Sequence, residues 1–211
     1  MDAILVLSPM ANSLNVQKWL VTINRLLNVL NTLFNNMLQT AWEEIESLYD
    51  KPQVDQSTIQ QFKALKRNQN SHTKKEGNLE HYCAFFLPYD KEKGKIYLGY
   101  HKKADDWIPP GGHIEPGETP VDAAIREMEE ELKAAITADM LKAWNLSVKP
   151  INRPEKGCLT HYDVWHLVRI SEQPFDYERR EYHDAGWFTL AEGVAKISKN
   201  LDFAEIIKKL F

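Results

Sequence analysis

The apolar positions in the first third of the chain fall at three- and four-residue steps, from Leu14, Trp19, Leu20 and Ile23 through Leu26, Leu27 and Leu30 to Phe34, Met37 and Leu38. That spacing puts them on one wide stripe of a helix, or of two helices in series, continuing more weakly through Ala41, Ile45, Leu48 and Tyr49. Pro52 interrupts it, and a shorter helix is predicted over residues 57–67, followed by a polar linker at 68–79. From about residue 80 the period shortens towards two. Residues 81–88 and 95–101 read as strands divided by the turn-like YDKEKGK, hence as neighbours in a sheet; residues 145–152, 161–171 and 187–189 read as further strands. Phe203, Ile206, Ile207 and Leu210 mark a closing helix over residues 202–211. The chain therefore divides into an N-terminal helical region, residues 1–75, and an α/β domain, residues 80–211.

One helix of the second part stands out. Pro109, Pro110, Gly111, Gly112, Pro116 and Gly117 describe backbone that turns sharply and leaves carbonyls open. Directly after them Thr119 suits an N-cap, Pro120 the first helical position and Asp122 the capping-box partner. Ala123, Ala124, Ile125, Met128 and Leu132 form an apolar stripe, while Glu127, Glu130 and Glu131, at i, i+3 and i+4, share another face. Carboxylates crowded in this way repel one another unless a cation sits among them, and hard oxygen donors select Mg²⁺ or Mn²⁺. EMEEELK alone would ordinarily be a solvated helical face. The glycine-proline turn in front of it is what argues for a metal site.

Composition narrows the class. A chain of 211 residues, 43% hydrophobic and 27% charged, can bury one large core or two small ones. No segment approaches the length of a membrane span, and Met1 to Val6 lack the basic start of an export signal. Cys83 and Cys158 make neither a zinc spacing nor a disulfide framework, which points to a reducing cytoplasm. Residues 1–78 hold eight Lys or Arg against seven Asp or Glu, and the remainder 18 against 23, so the acidity lies in the half with the glutamate helix. The basic run Lys63, Lys66, Arg67, Lys74 and Lys75 has no interleaved aromatics. It reads as a solvated linker able to steer a polyanion, rather than as a nucleic-acid surface.

With Gly112, Glu118, Arg126, Glu127, Met128, Glu130 and Glu131 at these spacings, the segment from Gly112 to Ala134 resembles the signature of the Nudix hydrolases. That signature runs Gly, five residues, Glu, seven residues, Arg-Glu, an aliphatic, any residue, Glu-Glu, any residue, Gly, an aliphatic. Lys133 stands where the family has its second Gly, and Ala134 is small for the last position. The resemblance covers residues 80–211 and implies an α/β/α sandwich with a mixed sheet. It implies metal-dependent cleavage, with Mg²⁺ or Mn²⁺, of the pyrophosphate in a nucleoside diphosphate linked to another group, such as an NTP, a nucleotide sugar or ADP-ribose. Glu127, Glu130 and Glu131 would then be ligands, or one of them the base, with the Gly112 carbonyl as a further ligand and Glu118–Arg126 bracing loop against helix. A later-loop acid would join them, Glu181 first, with Asp184 and Glu178 behind it.

Outside the signature, His161, Asp163 and Trp165 alternate on one strand face, either as a hydrogen-bonded structural set or as substrate contacts. His113 is open in the same way. Trp107, with Tyr100, Phe86 and Tyr162, offers aromatic surface for stacking a nucleotide base. The N-terminal stripe suits packing within the chain or a homodimer contact. A second function class stays open, a nucleotide-sensing module that reports through those helices without turnover. An isoprenoid-diphosphate isomerase is disfavoured by the surroundings of both cysteines.

Overall fold

The computed structural model describes residues 19–27, 29, 42–68 and 72–210. Residues 19–27 and 29 are helical, and Trp19, Leu20, Leu26 and Leu27 are exposed there. The rest of the predicted stripe, residues 14–18, 28 and 30–41, lies outside the described residues. Helical residues 42–46 lead to α1 (Gln56–Asn68), and the sheet strands are β1 (Glu80–Asp90), β2 (Lys95–His101), β3 (Asp106–Ile108), β4 (Gly111–His113), β5 (Leu141–Arg153), β6 (Cys158–Arg169) and β7 (Tyr182–Thr189). The helices of the domain are α2 (Pro120–Leu132), α3 (Leu190–Lys196) and α4 (Leu201–Lys208). No helix among the described residues is long and apolar enough to cross a membrane.

The strands form one mixed sheet in the order β3-β2-β1-β6-β5, with β4 pairing β1 and β7 pairing β2. Among the described residues only β1 and β6 run parallel, with His81 opposite His161 and Trp165 opposite Phe85. β1 is buried along almost its whole length because both of its faces are covered. Alternation sends Tyr82, Ala84 and Phe86 to one side and Cys83, Phe85 and Leu87 to the other.

The first side packs under α2 through Ala123, Ala124, Met128 and Leu132, and under the N-terminal segment through Ile45, Leu48, Ile59, Phe62 and Leu65. Ile59, Phe62 and Leu65 recur every three residues along α1, which is why that short helix presents one apolar edge; Phe62 stacks on Tyr82 at 5.6 Å between ring centres. Each such fully buried side chain contributes about 1.5–3 kcal/mol. His166, wholly buried on β6, meets Glu44 at 2.5 Å and ties the same segment to the sheet. The second side packs under Ile197, Phe203, Ala204, Ile206 and Ile207, giving the three-layer α/β/α arrangement.

Several boundaries differ from the sequence expectation. β7 begins at Tyr182, not near Trp187, because the whole length of β2 is available to pair with it, down to His101 opposite Tyr182. Its exposed His183 and Asp184 hide the two-residue period. α3 was not predicted, although Thr189 and Glu192 form its capping box. The glycine stretch is not an open turn throughout: Gly111–His113 pairs with β1.

Candidate active site

Local sequence sets the start of α2. The Thr119 hydroxyl accepts from the Asp122 N–H at 3.1 Å, the Asp122 carboxylate accepts from the Thr119 N–H at 3.0 Å, and Pro120 fills the first turn. The helix stops at Lys133, which takes the left-handed conformation, φ 51°, and donates its N–H to the Glu129 carbonyl at 3.2 Å, while the Ala134 N–H reaches back to the Met128 carbonyl at 3.5 Å. The helix thus ends where the second glycine of the signature would end it, but with a side chain in a conformation that favours glycine. Lys133→Gly is expected to raise stability by about 0.5–1 kcal/mol, the left-handed strain exceeding the entropy cost of glycine. A urea titration checks this; an unchanged midpoint would mean that the Lys133 ammonium, 2.6 Å from the Glu130 carbonyl, offsets the strain.

Arg126 organises the loop side of the helix. Its Nε and Nη2 donate to the two Glu118 oxygens at 2.7 and 2.9 Å, Nη2 donates to the His113 carbonyl at 3.0 Å, and Nη1 donates to Glu127 at 2.7 Å. Glu118 also accepts from the Glu115 N–H at 2.9 Å, so the guanidinium and its carboxylate close the glycine loop onto α2. Side-chain hydrogen bonds from Glu118 and Glu127, more than offsetting burial, hold the Arg126 guanidinium above its ordinary range.

The three glutamates are graded in exposure. The Glu130 side chain is 59% exposed, that of Glu127 12%, and Glu131 is buried. Gly112 leaves room for Glu127: a Cβ at Gly112 would lie 2.1 Å from Glu127 Oε1. Burial, then the nearby Glu130 and Glu118 charges, push the Glu127 carboxyl upward against the pull of Arg126. Glu131 is pushed up to about 8, mainly by burial and then by Glu127, although it accepts from the Gly111 N–H at 3.0 Å and the Tyr182 hydroxyl at 2.7 Å.

Tyr182 was not foreseen from the sequence. Its ring fits against Gly99, where a Cβ would meet it at 2.3 Å, so a glycine inside β2 was the available sign of a close approach. Glu181, the residue before it, is held by Lys103 at 2.8 Å and lies 3.6 Å from His101 Nε2, close enough for its charge to raise Glu131. Glu178 donates its N–H to the Glu131 carbonyl at 2.6 Å, while its own carboxylate is bound by Arg180.

The other sequence candidates sit elsewhere. His161 and Asp163 lie on the face of β6 that carries Trp165, opposite the Tyr162 and Val164 face that packs under α2. Asp163 is fully buried and accepts from Ser147 Oγ at 2.9 Å, and that hydroxyl accepts from Trp165 Nε1 at 2.9 Å. Trp107 stacks on Tyr100 at 5.7 Å, and Lys196 lies over its ring. Among the described residues, no hydrogen bond or ion pair joins Trp107, His161 or Asp163 to the glutamates.

Comparison with known proteins gives a consistent picture. Residues 79–210 match the family model described as NUDIX domain. The asymmetrical bis(5'-nucleosyl)-tetraphosphatase of Caenorhabditis elegans is 28% identical over 130 residues, 60% of this chain and 91% of that protein. An m7GpppN-mRNA hydrolase of Xenopus laevis is 32% identical over 69 residues, 31% of this chain, which spans only 23% of that relative's length. The solved Escherichia coli dihydroneopterin triphosphate pyrophosphohydrolase has the same fold, with a TM-score of 0.53 at 18% identity over 61% of this chain and 93% of that one. Through residues 79–210, this chain belongs to the Nudix hydrolase superfamily.

Proposed function

We propose that this chain is a pyrophosphohydrolase that cleaves a nucleotide-type substrate with Mg²⁺ or Mn²⁺ held by Glu127, Glu130, Glu131 and the Gly112 carbonyl. The observation that carries this reading is the pair Glu127 and Glu131 on one helix, both pushed upward by burial and Glu131 further by the charge of Glu127. A cation among them relieves that repulsion, and an all-oxygen donor set suits a hard ion. The cradle left by the missing Gly112 Cβ keeps the loop backbone against Glu127 and supports the fit. When bound, such an ion polarises the phosphoryl oxygens and lowers the pKa of an attacking water.

The chain's own residues do the positioning. Arg126 fixes Glu127 and the His113 carbonyl together, so loop and helix move as one piece. Tyr182 and the Gly111 N–H aim Glu131. Glu181, held by Lys103, supplies a further acid beside them. The substrate class we favour is a dinucleoside polyphosphate, because the relative with that activity in its name aligns over 91% of its own length.

The test is turnover of purified protein on a panel of NTPs, ADP-ribose, nucleotide sugars, dinucleoside tetraphosphates and 5′-capped or triphosphorylated RNA, with EDTA and Mg²⁺ add-back as controls. Turnover is expected to be highest on the dinucleoside tetraphosphates, abolished by EDTA and restored by Mg²⁺. Tight nucleotide binding without turnover anywhere on the panel would replace this reading with the sensing module; turnover that persists in EDTA would remove the metal from it.

A further inference from the structure

We propose that His81, His113, His161 and Cys158 form a four-ligand zinc site, separate from the glutamates, that pins the glycine loop to the sheet. Among the described residues, one ligand atom from each of these four lies within 4.8 Å of all the others. His113 Nε2 is 3.8 Å from Cys158 Sγ, close to the roughly 3.6 Å edge of a tetrahedron with Zn–N about 2.0–2.1 Å and Zn–S about 2.3 Å.

The fold assembles this group from three strands. The parallel register sets His81 of β1 opposite His161 of β6, and the antiparallel register sets His113 of β4 opposite Cys83, two residues along β1 from His81. Cys158 enters β6 from the left-handed Gly157, φ 72°. The ligands are therefore scattered in sequence except for the pair Cys158 and His161, whose two-residue gap is the one short spacing present.

A hydrogen bond to the backbone orients the His81 ring. His81 is wholly buried, and its Nδ1 lies 2.8 Å from the Asn78 carbonyl. A carbonyl only accepts, so Nδ1 carries the proton and Nε2 carries the lone pair. That Nε2 is buried without a hydrogen-bond partner, and so is His161 Nε2. Buried polar atoms are ordinarily partnered, and the His81 lone pair enclosed with a second unpartnered ring nitrogen beside a thiol calls for a cation. The arrangement of His81, its second nitrogen fixed by a backbone carbonyl, is the usual support of a metal-bound imidazole. Asp163 extends this pattern, since one of its carboxylate oxygens and a ring nitrogen of His161 lie within 4.8 Å, and Asp163 Oδ1 has no partner.

The donor set separates the two sites. Three imidazoles and a thiolate suit zinc, whereas the glutamates suit magnesium. Four protein ligands leave no open position, which marks a structural ion. Its placement has a consequence for the catalytic loop: His113 follows Gly112, and its carbonyl accepts from Arg126 at 3.0 Å. An ion on the His113 ring holds that backbone from the opposite side.

The experiment measures zinc bound to the full-length protein purified without chelator, and the absorption of a Co²⁺-substituted sample. One zinc per chain is expected, with the intense visible bands of tetrahedral cobalt and a thiolate-to-cobalt charge-transfer band. Cys158→Ser should lose the charge-transfer band, and both Cys158→Ser and His161→Gln should bind zinc at least about ten-fold more weakly, the lower bound for loss of even a supporting partner. Glu127→Gln should keep its zinc, since it belongs to the other site. Wild-type protein that takes up no zinc in equilibrium dialysis, or that gives only the weak spectrum of octahedral cobalt, would overturn the proposal whether or not the variants fold. Zinc retained undiminished by both ligand variants would overturn it as well, and a metal-free hydrogen-bonded cluster would stand in its place.

Discussion

Glu127→Gln is expected to lower kcat about a thousand-fold, or about 4 kcal/mol of transition-state stabilisation, while the fold survives. The amide has the shape of the carboxylate, and its oxygen can still accept from Arg126 Nη1, now 2.7 Å from Glu127 Oε1. What it loses is charge. On the reading proposed above, that charge is what holds the ion against the Gly112 backbone. In the absence of metal the same charge is a burden, since burial and the neighbouring Glu130 and Glu118 all disfavour ionised Glu127. Thermal melts in EDTA should therefore show the variant as stable as the parent or slightly more so, by up to about 1 kcal/mol. Steady-state kinetics across a Mg²⁺ titration completes the test. Parent-level kcat at saturating Mg²⁺ would remove Glu127 from the metal site.

The part of this site that could be read in the sequence is the part built from local geometry. Thr119, Pro120 and Asp122 specify the start of α2 within four residues, and the spacing of Glu127, Glu130 and Glu131 follows from helical period alone. Tyr182 could not be read this way. It reaches Glu131 from a strand 51 residues away, and only the β2–β7 pairing and the hollow at Gly99 bring it there. The same holds for His81, His113 and His161, which meet through strand register rather than through spacing.

The polar alternation of His161, Asp163 and Trp165 was legible as a shared face, but not as an interior one. Whether a polar face is wet depends on what covers it, and here Phe203 of α4 packs edge-on to Trp165 at 4.9 Å. The N-terminal segment posed a related difficulty. Its periodicity announces helices, yet nothing in the period says that Ile59 and Phe62 close the domain's own core rather than meet a second chain.

Asp106→Ala is expected to destabilise the protein by about 3–5 kcal/mol, close to the upper end for a single substitution. Asp106 is 1% exposed and accepts five hydrogen bonds from the turn between α3 and α4. Ser198 donates its N–H and hydroxyl to one oxygen at 2.9 and 3.0 Å, while the Lys199 and Asn200 N–H groups, both at 2.8 Å, and the Asn200 amide at 2.9 Å donate to the other. Alanine leaves all of these donors without their acceptor and frees the start of α4, whose Phe203 packs on Phe85 and Trp165. Asparagine should cost nearly as much, because its NH₂ group would face donors.

Burial alone would raise the Asp106 carboxyl, but the donors outweigh it and bring it down to about 2. A folded pKa below the unfolded value of about 3.9 means stability that is present above pH 4 and lost as pH falls towards 2. The gap between parent and Asp106→Ala, measured by urea denaturation, should therefore be full at pH 7, still nearly full at pH 5, and should shrink steadily below pH 4. α4 covers the sheet face opposite α2, so kcat per folded molecule should stay within about two-fold of the parent. A gap that is the same at pH 2.5 as at pH 7 would show that the variant acts through lost packing and not through the carboxylate.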